Sequence, residues 1–354
     1  MQLSNNQRAF LALLSAGLWE QDIQLSHFRG VDYDEVFRLA EKQSVIGLVS
    51  AGLEHVIDVK PPKEFTLQLV GKTLLIEQRN LLMNQFIGHI VEKMREADIY
   101  TILVKGQGLA QCYVRPKWRS SGDVDFLLSD SNYKKAIEFL LPHASNSKNG
   151  GGYSKEFALT INQWMVELHG TLRTGLSSRV DKEVDEVQKD VFYGGNVRSW
   201  LNETSTVFLP SPDNDVFFVF THFIKHFYKE GMNLRQVCDW CRLLWIYRTI
   251  IDNHLLQKRL QRAGLISEWK TFAALAVDYF GMPEEAMPLY DNKPCWRKNA
   301  KLIIKLIVNE YKHNVVYDTC AIARIFPLQV IRYSPSIFLN VNGLKIKERL
   351  QLQL

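Results

Sequence analysis

The chain of 354 residues is predicted to adopt an α+β fold, with a small mixed β-sheet core set between two helical regions. Three observations lead to this class. Apolar residues recur at three- and four-residue spacing at the start of the chain, short β-rich runs replace that spacing in the middle, and helical spacing returns after Pro210 and Pro212. We expect an N-terminal helical region at residues 1–95, a core at 96–205 and a C-terminal helical region at 206–354.

The elements follow from local patterns. In the first region helices are predicted at residues 33–39, 45–53 and 65–97, and Asp32 and Asp34 stand where a carboxylate favours a helix start. In the core, strands are predicted at 99–104, 124–128, 157–160 and 164–168, short helices at 109–113 and 133–140, and a glycine turn at 150–152. The last region is expected to be helical at 213–228, 234–251, 255–263, 272–279 and 301–311, whereas the segment from residue 321 permits no assignment.

Composition excludes several classes of protein. The chain is 46% hydrophobic and 23% charged, which is ordinary for a globular protein, and its net charge of +5 permits a phosphate-rich partner without requiring one. No apolar run approaches the roughly 20 residues of a membrane helix, and no clear signal peptide is seen, so a cytoplasmic location is expected. Five cysteines argue against a disulfide scaffold, and Cys238 and Cys241 are expected to be packed helix side chains rather than a zinc or redox site.

Two acidic residues in the core have the spacing of a divalent-metal site. Because side chains alternate along a strand, Asp123 and Asp125 share one face while Val124 and Phe126 occupy the other. Two carboxylates on one face repel each other unless a cation lies between them, and Mg²⁺ or Mn²⁺ suits such ligands together with substrate phosphates. Glu167, on a neighbouring predicted strand, is the candidate third carboxylate. The pattern by itself also fits an exposed strand edge, and that alternative stays open here.

Basic and small residues precede the carboxylates. Lys105, Gly106 and Gly108 form a strand-to-helix turn of the kind whose backbone amides bind phosphate, although an ordinary tight turn explains them equally. Arg119 has the charge to pair with a phosphate oxygen, and the alternative interpretation is that it is an ordinary surface charge. Ser121 lies between Arg119 and the first aspartate.

Further along, four residues have helical spacing. His222 and His226 are four residues apart and share a helix face, where packing or substrate contact is expected rather than metal binding. Arg235 and Asp239 have the same separation, which favours a helix ion pair.

The motif Lys105-Gly106-x-x-Leu109-Ala110, then Tyr113, then Arg119-x-x-Gly122-Asp123-Val124-Asp125-Phe126-Leu127-Leu128 resembles the pattern of the NTP_transf_5 family of poorly characterised bacterial nucleotidyltransferases. The family's later acidic–hydrophobic–His strand is matched by Glu167-Leu168-His169. A more distant similarity links Arg119, Ser121, Asp123 and Asp125 to the RxTxDxD motif of AbiEii-type nucleotidyltransferases. The resemblance implies the fold of the DNA polymerase β superfamily.

This resemblance also implies roles and a reaction. Asp123, Asp125 and Glu167 would be catalytic residues and ligands of Mg²⁺ or Mn²⁺, and Lys105, Gly106, Arg119 and Ser121 would face the nucleotide phosphates. One departure from the superfamily, shared with the family, is that Lys105-Gly106-Gln107-Gly108 replaces the usual Gly-Ser element, which leaves nucleotide preference open.

The expected activity is transfer of a nucleoside monophosphate from an NTP to an acceptor hydroxyl. The acceptor stays open among a small molecule, a protein and an RNA. A non-catalytic nucleotide-binding protein or interaction scaffold on the same fold is the alternative function. The sequence leaves oligomeric state and the roles of His222, His226 and the C-terminal segment open.

Overall fold

The computed structural model describes residues 2–150, 155–309 and 322–333, and it has the α+β architecture predicted from the sequence. The chain begins with four helices: α1 (Asn5–Trp19), α2 (Tyr33–Lys42), α3 (Ile46–Glu54) and α4 (Lys63–Glu96). The carboxylate of Asp32 accepts hydrogen bonds from the amides of Asp34 and Glu35 and so caps α2 as expected. Helices α1 and α3 cross where a side chain at Gly17 would collide with the carbonyl of Leu48.

A five-stranded mixed sheet follows. Its strands are β1 (Ile102–Val104), β2 (Asp123–Leu127), β3 (Asn146–Asn149), β4 (Glu156–Ile161) and β5 (Trp164–His169). Helix α5 (Gly106–Ala110) lies between β1 and β2, and helix α6 (Asp130–Leu140) lies between β2 and β3. The strand order is β1-β2-β5-β4-β3, in which β2 and β5 run parallel and the other neighbours run antiparallel. The parallel pair therefore lies inside the sheet and brings two distant parts of the sequence together.

Several elements differ from the sequence prediction. β1 begins at residue 102 rather than 99, and α5 begins at 106 rather than 109. Strand β3, helix α7 (Ser178–Tyr193) and the hairpin of β6 (Val197–Asn202) and β7 (Ser205–Pro210) were not predicted. The proposed boundary between residues 205 and 206 falls at the start of β7, and both region boundaries stay predictions.

The remaining helices are α8 (Pro212–Lys229), α9 (Leu234–Tyr247), α10 (Asn253–Ala263), α11 (Ile266–Phe280), α12 (Pro294–Val308) and α13 (Pro327–Tyr333). Single 3₁₀ turns lie at Pro116–Trp118, Leu141–His143 and Glu284–Ala286. Residues 310 and 311 of the last predicted helix lie outside the described residues, as do glycines 151 and 152 of the predicted turn and most of the segment from residue 321. In the part of the chain that the structure describes, no helix has both the length and the apolar character needed to cross a membrane.

Two hydrophobic cores position the sheet. The face of the sheet that carries Val124, Phe126, Val166 and Leu168 packs on buried residues of α4 and α6, among them Met83, Ile87, Ala136 and Leu140. The N- and C-terminal helices share the larger core, which includes Phe10, Leu14, Phe220, Trp240, Trp269 and Phe272. Cys238 and Cys241 are buried there on α9, and burial raises the pKa of both thiols, as expected for packed side chains. The opposite face of β2 and β5 is left to carry polar groups.

Candidate active site

The polar face of the parallel strand pair brings two predicted site residues side by side. Asp125 on β2 lies directly opposite Glu167 on β5, and Asp123 is two residues earlier on the same face. Val124 and Phe126 point into the core beneath the sheet, as the alternation predicted. The side chain of Asp125 is only 1% exposed, whereas those of Asp123 and Glu167 are half-buried.

Two basic side chains hold the carboxylate of Asp125. Lys105 Nζ and His169 Nε2 lie 2.7 Å and 2.8 Å from Asp125 Oδ1, and the same His169 nitrogen lies 3.5 Å from Glu167 Oε2. Burial acts to raise the pKa of Asp125, but Lys105 and His169 outweigh it and hold that pKa far below its usual range. Asp125 is therefore ionised, and its Oδ1 is the atom that both side chains contact.

A possible donor set for a metal ion consists of Asp125, Glu167 and His169, each of which offers one atom within 4.8 Å of the others. Asp123, which was predicted to be a ligand, is not in this group, and His169 was not singled out as a site residue. The signal for His169 was present, because it follows Glu167 by two residues on the same strand and so shares its face. Two carboxylates fit Mg²⁺ or Mn²⁺, and an imidazole is also accepted by transition metals such as Mn²⁺, so the donors present fit the expected ions.

Asp123 lies at the rim of a cavity of about 520 Å³ that also exposes Lys105, Glu167 and His169. Among the described residues, its carboxylate forms no side-chain hydrogen bond or ion pair. The charge of Asp125, together with burial, raises the pKa of Asp123, while Lys105 acts in the opposite direction. The carboxylate of Asp123 is thus destabilised by its neighbour and free to take another cation.

The turn before α5 has an unusual backbone. Lys105 has φ 59° and ψ −146°, and Gly106 has φ 40°. A residue with a Cβ atom is strained at a positive φ of this kind, and such backbone strain is concentrated at functional sites. The turn brings Gly106 against the backbone of Asp123, whose carbonyl oxygen would be 3.4 Å from a Cβ at that glycine. It also directs the ammonium of Lys105 onto Asp125. Burial acts to lower the pKa of Lys105, but the surrounding carboxylates raise it, so the group is charged.

Arg119 is buried in an ion pair. Its Nε and Nη2 donate to the two carboxylate oxygens of Asp239 at 2.6 Å and 2.7 Å, and its Nη1 donates to Ser121 Oγ at 2.8 Å. The hydroxyl of Tyr113 donates to the same carboxylate at 2.7 Å. Asp239 therefore pairs with Arg119 and not with Arg235, so the helix pair expected from the four-residue spacing is wrong. The expected contact of Arg119 with phosphate stays a prediction.

Helix α8 forms the wall opposite the carboxylates. His222 and His226 line the cavity, with their Nε2 atoms 3.1 Å apart, and His226 Nδ1 lies 2.9 Å from Glu230 Oε2. Burial lowers the pKa of His222 well below its ordinary value, so this imidazole is neutral near pH 7. The two histidines thus face the site rather than only the core.

Comparison with known proteins identifies the context of this site. Residues 29–281, which include all the groups described above, match the NTP_transf_5 family, described as uncharacterised nucleotidyltransferase. No curated protein matches the chain. Among solved structures, the chain is similar to an antigenic nucleotidyltransferase-like protein from Paracoccidioides brasiliensis, with 13% identity, a TM-score of 0.31, and coverage of 55% of this chain and 88% of the other.

Proposed function

The chain belongs to the family of uncharacterised nucleotidyltransferases, and on that premise we propose that it transfers a nucleoside monophosphate from an NTP to an acceptor hydroxyl. Asp123, Asp125 and Glu167 would hold Mg²⁺ or Mn²⁺ at the strand pair. The observation that carries the proposal is the register of β2 and β5, which sets Asp125 opposite Glu167 with Asp123 on the same face beside an open cavity.

The bound ion would supply positive charge to the triphosphate and lower the pKa of the acceptor hydroxyl. The proposed reaction is a displacement at the α-phosphorus, in which a side chain of the protein accepts the proton. The acceptor oxygen attacks the α-phosphorus, the bond from that phosphorus to the bridging oxygen of the β-phosphate breaks, and pyrophosphate leaves. The acceptor's proton passes to the carboxylate of Glu167, which the fold leaves half-buried and in contact with His169 alone among the described ion pairs.

Lys105 and Gly106 would face the phosphates from the turn before α5. In this structure the ammonium of Lys105 neutralises Asp125 at 2.7 Å, so a metal ion at Asp125 would release it toward the substrate. Arg119 and Ser121 would also face the phosphates. The bidentate contact of Arg119 with Asp239 supports a role in holding the loop that leads into β2.

Transfer of radiolabel tests this proposal. The protein is incubated with Mg²⁺, an extract that supplies acceptors, and NTPs labelled at the α- or the γ-phosphate. We expect α-label in a product and γ-label in pyrophosphate, and we expect both to disappear in Asp123→Asn. The control is Asp98→Asn, because Asp98 is exposed and has φ 56°, a conformation that asparagine accepts.

Three outcomes would contradict the proposal. Transfer of the γ-label to product would indicate phosphoryl rather than nucleotidyl transfer. Equal α-label transfer by the wild type and Asp123→Asn would remove the carboxylates from the reaction. Binding of NTP that needs no metal and gives no turnover would favour a nucleotide-binding protein instead.

A further inference from the structure

Arg235 is a half-buried cation that forms no ion pair with a carboxylate among the described residues. It lies in the first turn of α9 and lines a cavity of about 230 Å³ together with Lys105, Asp123 and Asp125. Its Nη1 donates to the carbonyl oxygen of Ser120 at 2.8 Å. Its Nε is buried and, among the described residues, has no acceptor. A buried donor without an acceptor costs free energy, so this position is costly unless a ligand completes it.

The ion pair of Arg119 explains why Arg235 does not pair with Asp239. Asp239, one helical turn further along α9, is the acidic residue expected to pair with it. Both oxygens of Asp239 are instead taken by the Nε and Nη2 of Arg119. Arg119 is thereby neutralised, whereas Arg235 retains its charge beside it. Burial and the charge of Arg119 both lower the pKa of Arg235, and together they outweigh the carboxylates of Asp239 and Asp123, which act in the opposite direction.

The other cations of the cavity do not meet the same need. Lys105 is paired with Asp125 at 2.7 Å unless a metal ion takes its place, and the neutral His222 contributes no charge. A negatively charged ligand with several acceptor oxygens would satisfy the free Nε of Arg235 and balance its charge, while a metal ion at Asp123 and Asp125 contacts its other end. A polyphosphate chain has both properties.

From these contacts we infer that Arg235 binds the phosphate chain of the nucleotide and that it, rather than Arg119, is the main guanidinium for this ligand. The inference rests on the proposed function, because it takes the donor substrate to be a triphosphate. It assigns a binding role to a residue from the C-terminal helical region, so that helix α9 and the strand pair hold the donor between them. The site is expected to prefer triphosphates over monophosphates of the same nucleoside.

Equilibrium binding of inorganic triphosphate tests the inference without requiring turnover. Calorimetric titrations in excess Mg²⁺ compare the wild type with Arg235→Gln, Arg235→Lys and Arg297→Gln. Glutamine retains a donor for Ser120 but loses the charge, and Arg297 is a surface arginine of α12 paired with Asp278. We expect Arg235→Gln to bind about 10- to 100-fold more weakly, Arg235→Lys to retain part of the affinity, and Arg297→Gln to match the wild type. Thermal unfolding of each variant checks that it is folded.

The outcomes separate this inference from the proposed function. Equal binding by the wild type and Arg235→Gln, or no binding of triphosphate by the wild type, overturns the role of Arg235. Weaker binding by Arg235→Gln supports that role even if no nucleotidyl transfer is detected, in which case only the proposed reaction fails. If Arg235→Gln does not fold, Arg235→Lys provides the test. The role of Arg235 is then overturned if Arg235→Lys binds both triphosphate and monophosphate with the affinity of the wild type.

Discussion

Replacing Asp123 with asparagine should make the metal-free protein more stable and the metal-bound protein less stable. Asp123 and Asp125 share one face of β2, two residues apart, and the carboxylate of Asp123 has no partner among the described residues. Asparagine has nearly the same shape and removes the repulsion. The effect of the change should therefore reverse in sign when the ion is added.

The magnitude follows from the strand geometry. Two residues of strand separate the carboxylates by about 6.6 Å, and unit charges at that distance with an effective dielectric constant near 20 repel by about 2.5 kcal/mol. Lys105 offsets part of this repulsion, so a net gain of about 1–2 kcal/mol is expected for the metal-free variant. In the wild type, Mg²⁺ at about 100 times its dissociation constant should add about 2.7 kcal/mol, and this gain should be lost in Asp123→Asn.

Thermal unfolding with and without Mg²⁺ measures both effects, with Asp98→Asn as the control that should follow the wild type in each condition. Without metal, the melting temperature of Asp123→Asn should rise by about 1–3 °C, since an unfolding entropy of about 2.1 cal/mol/K per residue gives about 0.74 kcal/mol/K for 354 residues. A variant that is less stable than the wild type without metal would refute the claim of repulsion. A variant that keeps the full Mg²⁺ stabilisation would refute the assignment of Asp123 as a ligand.

Two further substitutions probe the charged groups around the site. Lys105→Met leaves Asp125 without its ammonium, so unfolding in urea should show a loss of about 3–5 kcal/mol without metal. Mg²⁺ should stabilise this variant more than the wild type, because the ion takes the place of the ammonium, and an equal effect would mean that the two do not compete. Asp239→Asn breaks the buried pair with Arg119 and should also cost about 3–5 kcal/mol. By comparison, Glu41→Gln in an exposed pair should cost less than about 1 kcal/mol, and similar losses for both variants would contradict this contrast.

Local sequence patterns predicted the elements that carry the site because those elements have one buried and one polar face. Val124 and Phe126 alternate with the aspartates, so strand type and side-chain direction followed from a period of two. A comparable periodic signal is present in α7, where Val180, Val184 and Val187 recur at helical spacing and are buried, but the sequence prediction did not include that helix.

Other elements gave no such signal. Strand β3 consists of four exposed polar residues at the edge of the sheet, and β4 is its one partner among the described strands. In β6, Val197 and Leu201 are exposed, so the alternation of apolar residues does not mark a buried face. These strands exist because a partner strand supplies hydrogen bonds, which a local pattern does not reveal.

The contacts that define the site depend on long-range pairing. The register that sets Asp125 beside Glu167 joins residues 42 positions apart, and a shift of one residue would move Glu167 to the other face. The pairing of Arg119 with Asp239 spans 120 residues and displaces the local pair that the sequence favoured. Local spacing could therefore identify the candidate acids but not which cation each one meets.

Binding of Mn²⁺, followed by the electron paramagnetic resonance signal of the free ion, tests the central claim most directly. In the presence of an NTP, the wild type and Asp98→Asn should bind the ion saturably. Asp123→Asn and Glu167→Gln should bind it at least about tenfold more weakly, because each removes an expected ligand. Equal Mn²⁺ affinity in all four proteins would contradict a metal site built on the carboxylates of β2 and β5.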